Sequence, residues 1–167
     1  MQQLDIKKFK QRAYRKKKKL VKFLNSLKKR KVPNLIKTTL EIDKEVWKET
    51  NCLSCANCCR NMTPVYSPAD IRRISKHFKM TSKEFFAKWL KKDDEGDVIN
   101  KTKGCQFIGN DNKCSIYEIR PQDCAEFPHL YKKDFLVQLK ENIYQSNLIE
   151  CPATLVFAEK LEKVINV

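Results

Sequence analysis

The sequence predicts a mainly helical α+β protein that contains one short β-hairpin and begins with a basic helix. Three observations lead to this prediction. Apolar residues recur at helical spacing near both ends of the chain. Helix-start patterns occur in the middle of the chain, and a run of turn-forming residues separates two short apolar stretches. The 167 residues are enough to bury a hydrophobic core.

The first 31 residues are predicted to form a basic helical arm, ahead of one domain at residues 32–167. The arm holds 14 Lys and Arg against a single acid, Asp5, whereas the domain holds 21 basic and 19 acidic side chains. Six apolar residues of the arm have helical spacing: Ile6, Phe9, Ala13, Leu20, Leu24 and Leu27. The lysines at 16–19 interrupt this stripe. We therefore expect either a solvated helix or an adhesive arm for RNA, DNA or an anionic membrane surface.

Within the domain, helices are predicted at three starts. Ser67 precedes Pro68, as at a helix N-terminus, and Thr81 with Glu84 forms a capping-box pattern. Pro152 is predicted to open a last helix with Cys151 at its N-cap. The residues of that helix expected to face inward are Ala153, Phe157, Leu161 and Val164.

The β-hairpin is predicted in the segment between Cys105 and Cys114. Turn formers at 109–112 lie between short apolar stretches there, which would place the two cysteines near the open end of the hairpin. The hydrophilic run at 91–103 is interpreted as a loop.

The N-terminal residues do not resemble a secretory signal, because Lys and Arg interrupt each apolar run. No run approaches the roughly 20 apolar residues of a membrane-spanning helix. We therefore expect a cytoplasmic protein. In that reducing compartment, clustered cysteines more often bind metals or carry redox chemistry than form structural disulfides.

All eight cysteines lie between Cys52 and Cys151, and four of them fall within residues 52–59. The C-x-x-C-x-x-C spacing of Cys52, Cys55 and Cys58 is that of three ligands in a four-iron site, whose fourth ligand comes from elsewhere. Cys58 and Cys59 would point to opposite faces of an extended backbone, so we expect them to serve different centres, or one of them to be spare. One partition into two sites assigns Cys59 to the hairpin side, but spacing does not determine it.

Thiolates alone do not distinguish the metals, because zinc and iron-sulfur clusters both accept four sulfurs. The triple spacing favours an iron-sulfur cluster, and the lack of a second C-x-x-C pair argues against a zinc ribbon. Zinc remains the second interpretation and metal-free thiol chemistry the third.

The ordered motifs of this chain resemble those of the YkgJ-type cysteine-cluster family. They are C-x-x-C-x-x-C-C-R from Cys52 to Arg60, C-x-F-I at Cys105, C-x-I-Y-x-x-R-P at Cys114 and C-x-x-F-P at Cys124. The resemblance covers about residues 47–155 and implies a mainly bacterial domain that chelates zinc or iron. The ligand set that it implies is Cys52, Cys55, Cys58, Cys59, Cys105, Cys114, Cys124 and Cys151.

The cysteine region is also similar to that of flagellin lysine methylases of the FliB type, which are linked to an iron-sulfur cluster and S-adenosylmethionine. This similarity implies an alternative function, a cluster-dependent modifying enzyme whose basic arm binds nucleic acid or another acidic partner. The chain holds only three glycines, which leaves little room for a glycine-rich nucleotide loop. A metal-binding protein with a structural or redox centre is therefore the first hypothesis, and no catalytic residue is predicted.

Overall fold

The computed structural model describes residues 5–130 and 132–165. The predicted arm and domain therefore have residues 1–4, 131, 166 and 167 outside the described ranges. The elements in chain order are α1 (Ile6–Leu27), α2 (Leu35–Glu49), α3 (Cys52–Cys55), α4 (Asn57–Asn61), α5 (Pro68–His77), α6 (Ser82–Trp89), β1 (Leu90–Lys92), β2 (Val98–Asn100), a 3₁₀ helix (Tyr117–Ile119), α7 (Gln122–Glu126), α8 (Lys132–Glu141), α9 (Tyr144–Glu150) and α10 (Pro152–Ile165). The predicted mainly helical α+β class is confirmed.

The chain divides into two compact units. The first, called the helical unit here, comprises residues 1–52 and 128–167, and the second, the cysteine unit, comprises residues 53–127. The predicted boundary between residues 31 and 32 stays a prediction.

In the helical unit, α1 packs against α9 and α10, and α10 also contacts α2. The predicted N-terminal helix is thus confirmed. Its buried residues are Phe9, Ala13, Leu20, Phe23, Leu24 and Leu27. None of the residues between Ala13 and Leu20 is buried, so the lysine run does interrupt the apolar stripe. Neighbouring helices cover this stripe, so α1 is not solvated on all sides.

The predicted C-terminal helix is observed as α10, with Cys151 at the position just before it. The Cys151 carbonyl accepts a hydrogen bond from the Leu155 N–H at 3.2 Å. Of the residues expected to face inward, Ala153, Phe157 and Leu161 are buried, whereas Val164 is 54 % exposed. Val164 shares their face, but it lies in the last turn of the helix, where periodicity alone overestimates burial.

Two capping boxes begin helices α5 and α6 of the cysteine unit. Ser67 Oγ accepts the Asp70 N–H at 3.1 Å and the Asp70 carboxylate accepts the Ser67 N–H at 3.0 Å, which starts α5. Thr81 and Glu84 form the predicted reciprocal pair at α6, with distances of 2.8 and 3.2 Å. Both predicted helix starts are confirmed, because each satisfies backbone N–H groups that the first turn leaves without partners.

The predicted position of the β-hairpin is wrong. Strands β1 and β2 pair antiparallel within the run that was interpreted as a loop. The Asp93 carboxylate accepts the N–H groups of Glu95 and Asp97 at 3.0 and 2.9 Å, and Gly96 has a φ of 88°, so the sequence between the strands is a tight turn.

The segment from Cys105 to Cys114 forms a turn with one isolated bridge, between Ile108 and Cys114, instead of a ladder of strand pairs. A ladder does not extend to Cys105, because the Cys105 N–H donates to the Cys59 carbonyl at 2.7 Å.

Aromatic side chains form the core of the cysteine unit. The Phe107 ring lies 5.6 Å from Phe78, 6.3 Å from Phe85 and 5.5 Å from Trp89, measured between centroids. Six residues of this core are buried: Tyr66, Ile74, Phe85, Leu90, Phe107 and Ile116. Cys105 and Cys114 pack against it, so the core determines where these two thiols lie.

Candidate metal centre

The cysteine-rich loop forms two short helical turns, α3 and α4. Ala56 separates them with a left-handed φ of 49°, which turns the chain between Cys55 and Cys58. Because α4 is helical, the premise that Cys58 and Cys59 point to opposite faces of an extended backbone is wrong, and their assignment to different centres stays a prediction. Their Sγ atoms are 4.0 Å apart. The two neighbouring thiols therefore lie on the same side of the loop.

Gly104 allows the chain to return to this loop. It has a φ of 78°, and a Cβ at this position would lie 2.8 Å from the Arg60 carbonyl oxygen. Only glycine tolerates both the left-handed conformation and this close approach. The next residue is Cys105, whose N–H donates to the Cys59 carbonyl at 2.7 Å. The glycine thus brings Cys105 to the backbone of Cys59.

Backbone amides point at several of the sulfur atoms. Burial raises the pKa of Cys105 to about 11, and hydrogen bonds to its sulfur from the N–H groups of Phe107 and Ile108 oppose this rise. The same opposition between burial and an amide two residues ahead occurs at Cys55 with Asn57 and at Cys114 with Ile116. Amides that point at sulfur stabilise the thiolate, which is the form that binds metals.

Four thiols influence one another in every pairwise combination. The charge on Cys59 raises the pKa of Cys105, Cys114 and Cys124. The charge on Cys114 raises the pKa of Cys105. The charges on Cys105 and Cys114 both raise the pKa of Cys124. Burial is the largest cause of each of these raised pKa values. We call Cys59, Cys105, Cys114 and Cys124 the four-thiol group. They converge although they are spread over 66 positions of the chain.

Helix α7 carries Cys124, and two hydrogen bonds hold it in place. The Val65 N–H donates to Asp123 Oδ2 at 3.0 Å, and the Gln122 N–H donates to Asp70 Oδ1 at 3.2 Å. Burial raises the pKa of Cys124 well above that of an ordinary thiol. Without a positive partner this thiol therefore stays protonated at neutral pH.

Two arginines lie beside the four-thiol group. A hydrogen bond from Cys58 lowers the pKa of Cys59 to about 7, against the effect of burial, and the charge of Arg60 contributes to the lowering. Arg120 opposes the rise in the pKa of Cys114 that burial causes. The Arg120 guanidinium also lies 3.9 Å from the centre of the Tyr117 ring. Both arginines thus favour negative charge on sulfur.

A buried polar network, which the sequence did not predict, braces the group. The Tyr66 hydroxyl donates to Asn100 Oδ1 at 2.8 Å, and Asn100 Nδ2 donates to the Gly104 carbonyl at 3.1 Å. Burial and the charges of Cys105, Cys124 and Cys114 raise the pKa of Tyr66, so its phenol stays neutral. The only sequence signal was the rare glycine directly before Cys105.

The carboxamide of Gln106 is the unsatisfied polar group of this region. Its Nε2 and Oε1 atoms are buried and have no hydrogen-bond partner among the described residues. The amide lies close enough to Tyr66 to lower the pKa of the phenol, but it does not reach hydrogen-bonding geometry. A buried amide without a partner, next to Cys105, fits a bound group that interacts with it.

The donor chemistry also fits a thiophilic metal. The four-thiol group offers four sulfurs and nearby amide donors, as in all-thiolate zinc and iron sites, and two flanking cations that offset thiolate charge. Among the described residues, however, no three His, Cys, Asp or Glu side chains are already arranged to hold a metal ion.

The eight predicted ligands are divided between the two units. The cysteine unit holds Cys55 and Cys58 besides the four-thiol group, whereas Cys52 and Cys151 belong to the helical unit. Cys52 is exposed and Cys151 is buried. The charge of Cys59 acts on Cys55 as well. Ligation by each of the eight residues stays a prediction.

A family model with the description "Putative zinc- or iron-chelating domain" matches residues 51–152. The chain belongs to this CxxCxxCC family. The predicted resemblance is thereby confirmed, and the matched range contains all eight cysteines. Membership supports a role in binding zinc or iron. No curated protein and no solved structure matches the chain.

Within residues 5–130 and 132–165, no helix combines the length and the apolar character that crossing a bilayer requires.

Proposed function

We propose that this CxxCxxCC protein binds zinc or iron through Cys59, Cys105, Cys114 and Cys124, and that the bound metal fastens the segment at 101–127 to α4. The pairwise influence among all four thiols supports this proposal most directly. The hydrogen bond from Cys105 to the Cys59 carbonyl gives it a geometric basis.

A structural role follows from the nature of that segment. Between Asn100 and Pro128 the regular elements are a 3₁₀ helix of three residues and α7 of five. Three of the four thiols lie in it. Short irregular segments contribute little stability of their own, and structural metal sites supply folding free energy to such segments. The metal would therefore act as a cross-link between the segment and α4.

Metal binding must release protons in this site. Burial raises the pKa of Cys105, Cys114 and Cys124, so these thiols are protonated at neutral pH before the metal enters. A bound cation reverses the balance, because it stabilises each thiolate directly. Arg60 and Arg120 offset part of the negative charge that four thiolates bring.

The C-x-x-C-x-x-C motif forms the second half of the proposal. Cys52, Cys55 and Cys58 have the three-ligand spacing of a four-iron cluster, in which the fourth ligand comes from elsewhere in the chain. Spacing alone supports this assignment, and it is the reason we favour an iron-sulfur cluster over zinc. A cytoplasmic location is part of the proposal, because a reducing compartment keeps the thiols available.

Purification under anaerobic conditions, with elemental analysis and a visible spectrum, tests the proposal. Brown protein with iron and acid-labile sulfide indicates a cluster, and colourless protein with stoichiometric zinc indicates a zinc site. The variant Cys114→Ser is expected to lose the metal of the four-thiol group, whereas Cys52→Ser retains it. Purified protein without either metal, or Cys114→Ser with its full metal content, would overturn the proposal.

A further inference from the structure

The outward face of α1 differs from the rest of that helix. Residues 7, 11, 14, 18 and 22 follow one another at steps of three or four, so they lie in one row on the helix surface. They are Lys7, Gln11, Tyr14, Lys18 and Lys22, and all five are exposed. We call this row the outer face of α1. It lies opposite the buried stripe that α9 and α10 cover.

Acids of α10 neutralise a different part of α1. Glu159 pairs with Arg12 and with Lys16, the latter at 2.6 Å, and Glu162 pairs with Lys19 at 2.9 Å. Both glutamates are mostly buried. These ion pairs hold α1 against α10, and they occupy the flank of the helix that borders its buried stripe. The basic residues on this flank therefore serve the packing of the helical unit.

The three lysines of the outer face have no such partner. Within the described residues, no ion pair involves Lys7, Lys18 or Lys22. From Lys7 to Lys22 the helix extends by roughly 22 Å. A row of cations this long, with no ion-pair partner in the described part of the chain, is complementary to a polyanion with regularly spaced charges.

Tyr14 favours a nucleic acid over a membrane surface as the polyanion that binds this row. Its side chain is 62 % exposed, and it lies between Lys7 and Lys18 on the outer face. An aromatic ring between cations provides a stacking platform for a nucleic-acid base. Among the large hydrophobic residues of α1, Tyr14 is the one whose side chain is exposed. A membrane-surface helix would need several apolar side chains turned outward, whereas most apolar side chains of α1 are buried in the unit.

We propose that the outer face of α1 binds single-stranded nucleic acid, with Lys7, Lys18 and Lys22 contacting phosphates and Tyr14 stacking on a base. This function goes beyond metal binding and does not depend on it. The lysines provide affinity without sequence readout, so the expected binding has little sequence preference and depends strongly on salt.

Fluorescence anisotropy with a labelled single-stranded RNA of about 20 nucleotides tests the proposal on the full, metal-loaded chain. The triple variant Lys7→Gln, Lys18→Gln, Lys22→Gln is expected to bind at least about tenfold more weakly than the parent. Each lost phosphate contact lowers the slope of log K against log salt by about 0.7, so the triple variant loses about 2 from the slope.

The matched control is Lys37→Gln, Lys44→Gln, Lys48→Gln, which removes the same charge from exposed positions of α2. It is expected to retain most of the affinity. Equal weakening in both triple variants would show that only net charge matters and would overturn the assignment to the outer face.

Tyr14 is tested separately. Tyr14→Ala is expected to weaken RNA binding about tenfold, while Tyr14→Phe keeps the ring and most of the affinity. Unchanged binding by Tyr14→Ala would remove the stacking role. Sedimentation with phosphatidylserine vesicles tests the alternative of a membrane surface. Binding to vesicles without binding to RNA would overturn the proposal. Metal content, measured on every variant, should stay at the parent level.

Discussion

At the scale of single residues, position 104 is the most restricted in residue type, because it accepts only glycine. Its left-handed conformation and its contact with the Arg60 backbone both exclude a side chain. Its carbonyl accepts a hydrogen bond from buried Asn100, and the next residue is Cys105. The four-thiol group therefore depends on a residue that has no ligand chemistry of its own.

We predict that Gly104→Ala destabilises the protein by more than about 2 kcal/mol, because left-handed strain of about 1 kcal/mol is added to a backbone clash. Gly96→Ala is the matched control. Gly96 has a similar φ of 88°, but no atom lies within 4 Å of its would-be Cβ. Urea unfolding of the two variants gives the comparison. Equal losses of stability would contradict a role for the close approach at Gly104.

At the scale of secondary-structure elements, Asp70 connects α5 to α7. Its carboxylate caps α5 through Ser67, pairs with Arg73 at 2.6 Å and accepts the Gln122 N–H at the start of α7. Burial by itself would raise the pKa of Asp70, but the hydrogen bonds from Ser67, Arg73 and Gln122 outweigh it, and the pKa is lowered. One carboxylate thus positions the helix that carries Cys124.

We predict that Asp70→Asn lowers the free energy of unfolding by roughly 2 kcal/mol at pH 7. A lowered folded-state pKa adds stability above the ordinary carboxyl pKa of about 3.9, and this stability disappears as the pH falls through the folded-state value. The difference between the parent and Asp70→Asn should therefore shrink below about pH 4.

Thermal unfolding between about pH 3 and about pH 7 measures this difference. The control is Asp94→Asn at an exposed position of the hairpin turn, which should have little effect at any pH. A difference for Asp70→Asn that is as large at the lowest pH as at neutral pH would contradict the role of its ionised form.

Prediction from sequence worked well for elements whose signals are local. The capping box of Thr81 and Glu84 and the start of α5 at Pro68 were predicted, because the hydrogen bonds that start a helix join residues only three apart. The hairpin was misplaced. Turn formers at Asp93 to Gly96 and at Gly109 to Asn112 are similarly strong, and only the contacts beyond each turn determine which one carries a ladder.

At the scale of the whole molecule, we expect the proposed metal and the hydrophobic core of the helical unit to stabilise different parts of the chain. We predict that removing the metal with a chelator under reducing conditions exposes residues 101–127, while the helical unit stays folded. The reason is that large buried side chains, among them Phe135, Tyr144, Phe157 and Leu161, stabilise the helical unit. The segment at 101–127, in contrast, contains few regular elements.

Hydrogen exchange followed by mass spectrometry tests this prediction. Amides in 101–127 should exchange at least about tenfold faster after chelation, and those of α1 and α10 should keep their protection. Cys114→Ser provides the control, because its segment should exchange quickly before chelator is added and change little afterwards. Uniform loss of protection in both units would instead mean that the metal stabilises the whole chain.

The sequence by itself determined the family, the candidate ligands, the basic N-terminal helix and the starts of α5, α6 and α10, because these depend on residue type and on spacing over a few positions. Only the tertiary structure decided which thiols meet. Cys59, Cys105, Cys114 and Cys124 converge because Gly104 permits a close backbone approach, Phe107 packs into an aromatic core and Asp70 holds α7. These are contacts between residues distant in the chain, and cysteine spacing carries no information about them.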